Sequence, residues 1–382
     1  MVRLLDGLER YRAGRLSCIE AAEFLGMSER HFWRLRDRYE AEGAEGLMDG
    51  RRGRASGRRA AVDRIEFVVE QFRTRYWDFT VKHFHEELRK GGFDLGYTWT
   101  KTVLQSRGLV PVANTRAVHR KKRPRRPVPG MMLFQDGSTH EWLTGQPPVD
   151  LIVTMEDATS DLYSMFLTEE EGTASSLRGL REVIGKKGLF SSFYTDRGSH
   201  YFLTPKAGGK VDRTQPTQVG RALAELGIEH IASYSPQGRG RMERVFGTLQ
   251  RRLPPLLRMA GITTIEAANR YLAETYMADH NARFAVAPEE PGSAFVPFVG
   301  VLEDILCIKD ERVVGRDNCV RYEGRVLQIP EQRHRRHFVK VTIRIHEYPD
   351  GTLALFHGPR QLARYRADGT LISQDNETKS AA

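Results

Sequence analysis

Two arginine-rich stretches that hold few core-forming residues divide this chain of 382 residues. At residues 51–62 arginines alternate with Gly, Ala and Ser, and at residues 112–130 seven basic and no acidic residues lead to Pro127 and Pro129. Segments of this composition cannot bury enough apolar surface to form a core, so we interpret both as linkers between domains. The chain is therefore predicted to fold as several modules rather than as one domain.

The periodicity of apolar residues predicts a different architecture on each side of the second linker. Helical spacing before it, and alternating strand and helix signals after it, predict N-terminal all-α helix-turn-helix units, a mixed α/β core and a small C-terminal β-barrel. The predicted domains are a helix-turn-helix domain at 1–50, a second one at 63–111, the core with a trailing helix at 131–285, the β-barrel at 300–370 and a disordered tail at 371–382.

Charge is distributed unevenly along the chain. Residues 1–130 carry 28 basic and 17 acidic groups, residues 131–308 carry 17 and 22, and residues 309–366 carry 13 and 7. Basic flanks favour binding to a polyanion such as DNA, and an acidic centre favours a divalent cation. Ordinary variation of surface charge is the alternative interpretation.

The first domain contains a pattern that is typical of a DNA-reading helix. Ser17 is a predicted helix cap, Gly26 ends that helix, and Ser28 caps a second helix that buries Phe32 and Trp33. A plain three-helix bundle with a charged outer face is the alternative. The predicted DNA contacts lie on this second helix and in both linkers: Ser28, Arg30, Arg34, Arg38, Arg51, Arg52, Arg54, Arg120, Lys121, Lys122 and Arg123.

Three acidic residues of the core stand out by their context. Asp136 in FQDGSTH and Asp196 in YTDRGSH each follow a predicted strand, and Glu243 lies on a predicted helix in SPQGRGRMERVFGTLQ. Carboxylates on rigid elements are the ligands that Mg²⁺ ions need when they activate a hydroxyl and stabilise a leaving oxygen in phosphodiester chemistry. Because residues 203–218 look like an inserted loop, Glu225 and Glu229 are alternatives for the third ligand.

Taken together, these three motifs resemble those of the DDE transposases and retroviral-type integrases. The resemblance extends over roughly residues 15–370 and is closest to bacterial insertion-sequence transposases of the ISNCY group. It implies a ribonuclease-H-like core, with Asp136, Asp196 and Glu243 as a catalytic triad that binds two Mg²⁺ ions, for which Mn²⁺ can substitute. It also implies that the protein binds the terminal repeats of its element, cleaves DNA, transfers the strand to target DNA, and acts on double-stranded DNA as a homo-oligomer, at least a dimer.

Two other functions remain open at this point. A domesticated transposase that acts only as a sequence-specific DNA-binding regulator would need the helix-turn-helix units but not the acidic triad. A structure-selective nuclease would need the triad but not two sequence readers. No phosphate-binding GxxxxGK[ST] loop occurs, so no nucleotide cofactor is expected.

The expected location is a reducing cytoplasm, with association to the bacterial nucleoid when DNA is bound. The sequence contains no run of eighteen apolar residues and no apolar core of a signal peptide at its start, so no membrane partner is expected. Its three cysteines form neither a CxxC pair nor an even set.

Overall fold

A computed structural model describes residues 2–48, 60–112, 123–206, 209–212, 214–234, 236–333 and 335–372, and the chain divides into two compact units, Met1–Arg73 and Thr74–Ala382. Several predicted features lie outside the described residues. These are the tail from residue 373 onward and the proposed DNA contacts Arg51, Arg52, Arg54, Arg120, Lys121 and Lys122.

The first unit is helical, as predicted. It contains α1 (Val2–Arg12), α2 (Cys18–Leu25), α3 (Glu29–Glu42), a 3₁₀ helix (Gly43–Leu47) and α4 (Val62–Thr74). Ser17 accepts from the backbone N–H of Glu20, whose carboxylate accepts from the N–H of Ser17, so a capping box begins α2. Gly26 ends α2 at a φ of 70°, a left-handed conformation that glycine adopts without strain.

One predicted core residue of α3 is on the surface. Phe32 is fully buried beside Leu8 and Ala21, but Trp33 is 41% exposed and lies under the guanidinium of Arg36, 4.1 Å from the ring centre. The prediction that Trp33 packs inward was therefore wrong. Consecutive helical residues are turned by about 100°, so Phe32 and Trp33 cannot both point at a small core.

The second unit begins with α5 (Val81–Lys90) and α6 (Tyr97–Ser106), followed by the core. The core consists of β1 (Leu133–His140), β2 (Val149–Glu156), β3 (Leu162–Thr168), α7 (Thr173–Lys187), β4 (Ser192–Thr195), α8 (Gln218–Glu225), β5 (Glu229–Ala232), α9 (Pro236–Met259), α10 (Ile265–Tyr271), a π-helical turn (Leu272–Tyr276) and α11 (Met277–Phe284). The strand order is β3-β2-β1-β4-β5, with β1, β2 and β3 antiparallel and β4 and β5 parallel to β1. The predicted succession of three antiparallel strands, helix, strand, helix, strand and helix is confirmed.

Helices cover both faces of this sheet. Phe134 of β1 packs with Phe246 and Leu249 of α9 on one face, while Leu133 packs with Leu180 of α7 and the residues of α8 on the other. Alternate residues of a strand point to opposite faces. The side of each β1 residue therefore follows from its number: even-numbered residues face α9 and odd-numbered residues face α7.

Ion pairs fix the segment around α5 to α9. Arg252 donates to both carboxylate oxygens of Glu86 at 2.7 and 3.0 Å, and Arg258 donates to both oxygens of Asp78 at 2.7 and 2.8 Å. Paired guanidinium and carboxylate groups of this kind set orientation as well as distance. The second helical segment is therefore held against the helix that carries Glu243.

The C-terminal region is built from β6 (Ile308–Val313), β7 (Cys319–Tyr322), β8 (Arg325–Gln328), β9 (Thr342–Glu347), β10 (Leu353–His357), β11 (Arg360–Tyr365) and β12 (Leu371–Ile372). They form an open sheet in the order β12-β11-β10-β9-β6 and a separate β7-β8 hairpin. Within the part of the chain that the structure describes, β6 and β12 are opposite edges, so the predicted small β-barrel is not confirmed. Both layers instead share one core that includes Val320, Leu327, Ile343 and Leu355.

Candidate active site

Asp136 lies in β1, and Asp196 is the residue that directly follows the neighbouring strand β4. The parallel register of β1 and β4 pairs Leu133 with Phe193 and Phe134 with Tyr194. The described pairing stops there, and continued by two residues the register would bring Asp136 level with Asp196. The rings of Phe134 and Tyr194 are 5.2 Å apart on the face of α9, and the alternation of strand residues directs Asp136, two residues after Phe134, to that same face.

Glu243 is on the helix that covers this face. Met242, Phe246 and Leu249 of α9 are buried, and Glu243, Gly247 and Gln250 lie on an adjacent line of the helix. Gln250 donates to the hydroxyl of Ser138 at 3.0 Å, two residues beyond Asp136. Glu243 lies two turns before Gln250, about 11 Å along the helix. Its side chain is exposed.

The backbone around both aspartates is held by hydrogen bonds. The N–H of Gly198 donates to Asp196 Oδ1 at 2.8 Å, which orients that carboxylate. Next to Asp136, the buried Gln135 donates to Thr154 at 2.9 Å and accepts from the hydroxyl of Tyr201 at 2.9 Å. Burial, together with the negative charges of Glu171, Asp196 and Asp136, raises the pKa of Tyr201 well above its ordinary value. Tyr201 is therefore a neutral hydrogen-bond donor in the layer behind the aspartates.

Glu171 and His200 are site neighbours that the sequence interpretation missed. Their facing atoms, Oε1 and Nε2, are 3.5 Å apart, and both atoms are buried without a hydrogen bond. The Glu171 carboxylate lies against the Cα of Gly137, where an added Cβ would be 2.3 Å from Oε2. Glu171 comes 35 positions after Asp136 in the sequence, and only the pairing of the strands brings the two together. No motif spacing pointed to it.

Gly179 of α7 offers a test of the hydrogen-bonded layer behind the aspartates, which consists of Gln135, Thr154 and Tyr201. A Cβ at Gly179 would lie 2.1 Å from the Gln135 amide nitrogen, and Gln135 cannot move without breaking its bonds to Thr154 and Tyr201. We expect Gly179→Ala to lower the free energy of unfolding by about 1–3 kcal/mol, as overpacking does. Urea unfolding measures this. Gly185→Ala in the same helix is the control, because nothing lies within 4 Å of its Cβ position, and it should be neutral or stabilising.

The two alternatives for the third ligand, Glu225 and Glu229, lie away from the two aspartates. Glu225 at the end of α8 is paired with Lys309 at 2.6 Å and with Arg221 at 2.9 Å. Glu229 is paired with Ser192 at the start of β4. Thr195, the last residue of β4 before Asp196, comes three residues later, so Glu229 lies about 10 Å from that end of the strand. Neither residue borders the two aspartates.

The three predicted ligands are not gathered into a closed cluster. Over the described parts of the chain, no group of three or more His, Cys, Asp or Glu side chains is placed to hold a metal ion. What the structure contains is Asp136 in the middle of β1, Asp196 just after β4, and Glu243 on the helix that covers the face of Phe134.

The predicted DNA contacts that the structure describes fall into two groups. Arg30, Arg34 and Arg38 are exposed along α3, and Ser28 is the N-cap residue of that helix without a side-chain cap bond. Arg123 instead has its guanidinium bound to the buried carboxylate of Asp157. Asp157 lies in the turn after β2, and its pairing with Arg123 was not predicted from the sequence.

Solved structures with some likeness to this chain include retroviral integrases. The catalytic core of HTLV-2 integrase in complex with magnesium is 16% identical, with 40% of this chain and 92% of that chain covered, at a TM-score of 0.30. A chain of the simian T-cell lymphotropic virus intasome in complex with PP2A regulatory subunit B56 gamma is 16% identical, with 68% and 84% covered, at a TM-score of 0.34. Both scores are low, so the description of the fold rests on the strand order given above.

No helix among the described residues is both long enough and apolar enough to cross a membrane.

Sequence relatives are more informative. Residues 6–63 match a family model described as a winged helix-turn helix. The transposase of insertion sequence IS1202 from Streptococcus pneumoniae is 24% identical over 362 residues, which cover 85% of this chain and 76% of that protein. The protein y4bF of Sinorhizobium fredii, whose name also describes a transposase, is 30% identical over 356 residues, which cover 91% of this chain and 77% of that protein. The chain therefore belongs to a family of transposases.

Proposed function

We propose that this transposase is a DDE-type polynucleotidyl transferase in which Asp136, Asp196 and Glu243 bind the divalent ions that DNA cleavage and strand transfer require. The observation that supports the proposal is the parallel pairing of β1 with β4, because β1 contains Asp136 and Asp196 directly follows β4. The regulator without catalysis is not favoured, because it would have no use for this alignment.

The residues present fit a divalent cation of the Mg²⁺ type. Such ions prefer oxygen ligands and keep several waters, so two adjacent carboxylates with a third nearby are a suitable donor set. The carboxylate of Asp196 is already oriented by the N–H of Gly198. When bound, two ions would activate the attacking oxygen and stabilise the leaving oxygen of an in-line displacement. Mn²⁺ shares these ligand preferences and should substitute.

The protein side chains of the site would hold and orient the divalent ions. Asp136 stands on β1 and Asp196 directly follows β4, and strands are more rigid supports than loops. Glu243 lies on a helix whose position against β1 is fixed by the Gln250–Ser138 bond and by the burial of Met242 and Phe246. We propose that Glu243 turns toward the aspartates when ions and DNA are bound, since its side chain is exposed in the structure described here.

A strand-transfer assay tests this function. The terminal repeats would be identified as inverted repeats in the DNA flanking the gene, and labelled repeat ends would be incubated with the protein, target DNA and Mg²⁺. We expect joined products that disappear when the ions are chelated. Binding of the ends without cleavage or joining, in Mg²⁺ and in Mn²⁺, would instead indicate a DNA-binding regulator. Cleavage without joining and without sequence preference would indicate a nuclease.

We further propose that α3 reads the terminal repeat. Arg30 and Arg34 are exposed on its N-terminal half, the part that enters the major groove in helix-turn-helix proteins. Replacing both with Gln should reduce discrimination between repeat and random DNA by about 10- to 100-fold, since one good base contact contributes about 1–3 kcal/mol. Competition binding at fixed salt measures the ratio. Arg36→Gln on the same helix is the control, because Arg36 lies over Trp33 and should leave discrimination unchanged.

Joining two ends of one element requires at least two subunits in the DNA-bound complex, and a two-fold arrangement is the simplest assembly. We expect native mass measurement of the complex on repeat DNA to give two or more chains. A complex with one chain and one end that still forms paired-end products would contradict this expectation.

A further inference from the structure

Asp157 is a fully buried carboxylate at the point where β2 ends. Its side chain accepts from the guanidinium groups of Arg123 and Arg241, and its second oxygen accepts from the backbone N–H of Arg126 at 2.7 Å. Its backbone carbonyl accepts from Arg125 at 2.8 Å. One residue thus binds three residues of the segment 123–126 and one residue of α9.

The two guanidinium groups come from functionally different parts of the chain. Arg123 belongs to the basic linker that enters the core, and Arg241 precedes Glu243 by two positions on α9. Arg241 also donates to the backbone carbonyl of Arg123 at 2.6 Å, so the linker and the helix are joined directly as well. The segment 123–126 and the first turns of α9 therefore meet at Asp157.

Asp157 balances a group of positive charges. Arg123, Arg125 and Arg241 all donate to Asp157, and Arg244 follows Arg241 by three positions on α9. Guanidinium groups placed this way repel one another unless a carboxylate holds them, and breaking a buried ion pair leaves an uncompensated charge. Without the Asp157 charge, the segment and the helix should separate.

We infer that Asp157 is a positioning residue that locks the linker segment 123–126 to α9 and thereby sets Glu243 relative to DNA bound by the linker. This inference rests on the proposed function of Glu243. It also changes the role of Arg123, which acts through Asp157 rather than by contacting a DNA phosphate.

The test uses the full-length protein with Asp157→Asn and Arg123→Gln, and Asp161→Asn as the control. Asp161 lies in the same turn. Its carboxylate accepts from Thr159 and from none of the arginines that surround Asp157, which are Arg123, Arg125, Arg126, Arg241 and Arg244. Three quantities would be measured: the rate of tryptic cleavage after Arg125, the rate of single-turnover strand transfer, and the Kd for repeat DNA.

We expect both variants to be cut about tenfold faster at the segment and to transfer strands about tenfold more slowly, a loss within the usual range for coupled neighbours. The Kd for repeat DNA should change less than about threefold, and its dependence on salt should not change. The double variant should be little worse than either single variant, because both break the same contact. Asp161→Asn should behave as the wild type.

Two outcomes would overturn the inference. An unchanged rate of tryptic cleavage together with an unchanged rate of strand transfer in Arg123→Gln would show that the contact between Arg123 and Asp157 does not position Glu243. A salt dependence of the Kd for repeat DNA that is lower by about one phosphate contact, with an unchanged rate of tryptic cleavage, would show that Arg123 binds DNA directly. If Asp157→Asn does not fold, Arg123→Gln and Arg241→Gln decide by the same measurements. Failure of the proposed function can be distinguished from failure of this inference. If the proposed function is wrong, the wild type itself transfers no strands, while the variants are still cut faster by trypsin than the wild type.

Discussion

Asp136→Asn and Asp196→Asn are each expected to reduce DNA cleavage and strand transfer by about a thousandfold or more. The amide keeps the size of the carboxylate but removes the charge that balances a divalent cation, and such cations contribute several kcal/mol to the stabilisation of the transition state. The measurement is single-turnover cleavage of labelled repeat ends in Mg²⁺.

Binding of the ends separates a loss of catalysis from a loss of folding. The Kd for repeat DNA should be nearly unchanged in both variants, because the proposed reading helix α3 is not altered. Asp279→Asn, on the exposed side of α11, is the control and should keep full activity. Turnover at the wild-type rate in either site variant would remove that residue from the mechanism.

The third ligand is expected to be as sensitive as the aspartates. Glu243→Gln should eliminate activity, again by about a thousandfold, because it is the acid on the helix that covers the aspartate pair. Glu225→Gln and Glu229→Gln should keep most activity. Glu225 is held by Lys309 and Arg221, and Glu229 lies at the far end of β4 and β5.

All three glutamate substitutions keep the size of the side chain, so the comparison isolates charge. The same single-turnover assay would be used, with thermal unfolding as a check that each variant is folded. An inactive Glu229→Gln beside an active Glu243→Gln would mean that the third ligand had been assigned to the wrong element.

Local signals in the sequence predicted the elements well. The cap at Ser17, the end of α2 at Gly26 and the order of strands and helices in the core all depend on residues a few positions apart. The end of β4 before Asp196 follows from the same local patterns, whereas Asp136, which was expected after its strand, lies inside β1 because that strand continues to His140.

Features that depend on distant residues were predicted poorly. Alternating strands in the C-terminal region could not show whether the edges β6 and β12 meet, because closure depends on strand tilt and stagger rather than on local pattern. The bond between Asp157 and Arg241 spans 84 positions, and nothing near Asp157 in the sequence indicates it. Glu171 was missed for the same reason.

The most direct test of the account is to locate Mn²⁺ in crystals of the protein bound to repeat DNA. Anomalous scattering at the manganese edge identifies the ion independently of how the protein atoms are interpreted. We predict a strong peak between the carboxylates of Asp136 and Asp196, with Glu243 turned toward the site. Strong peaks elsewhere in the protein, with none between these two aspartates in a complex that still cleaves DNA, would contradict the assignment.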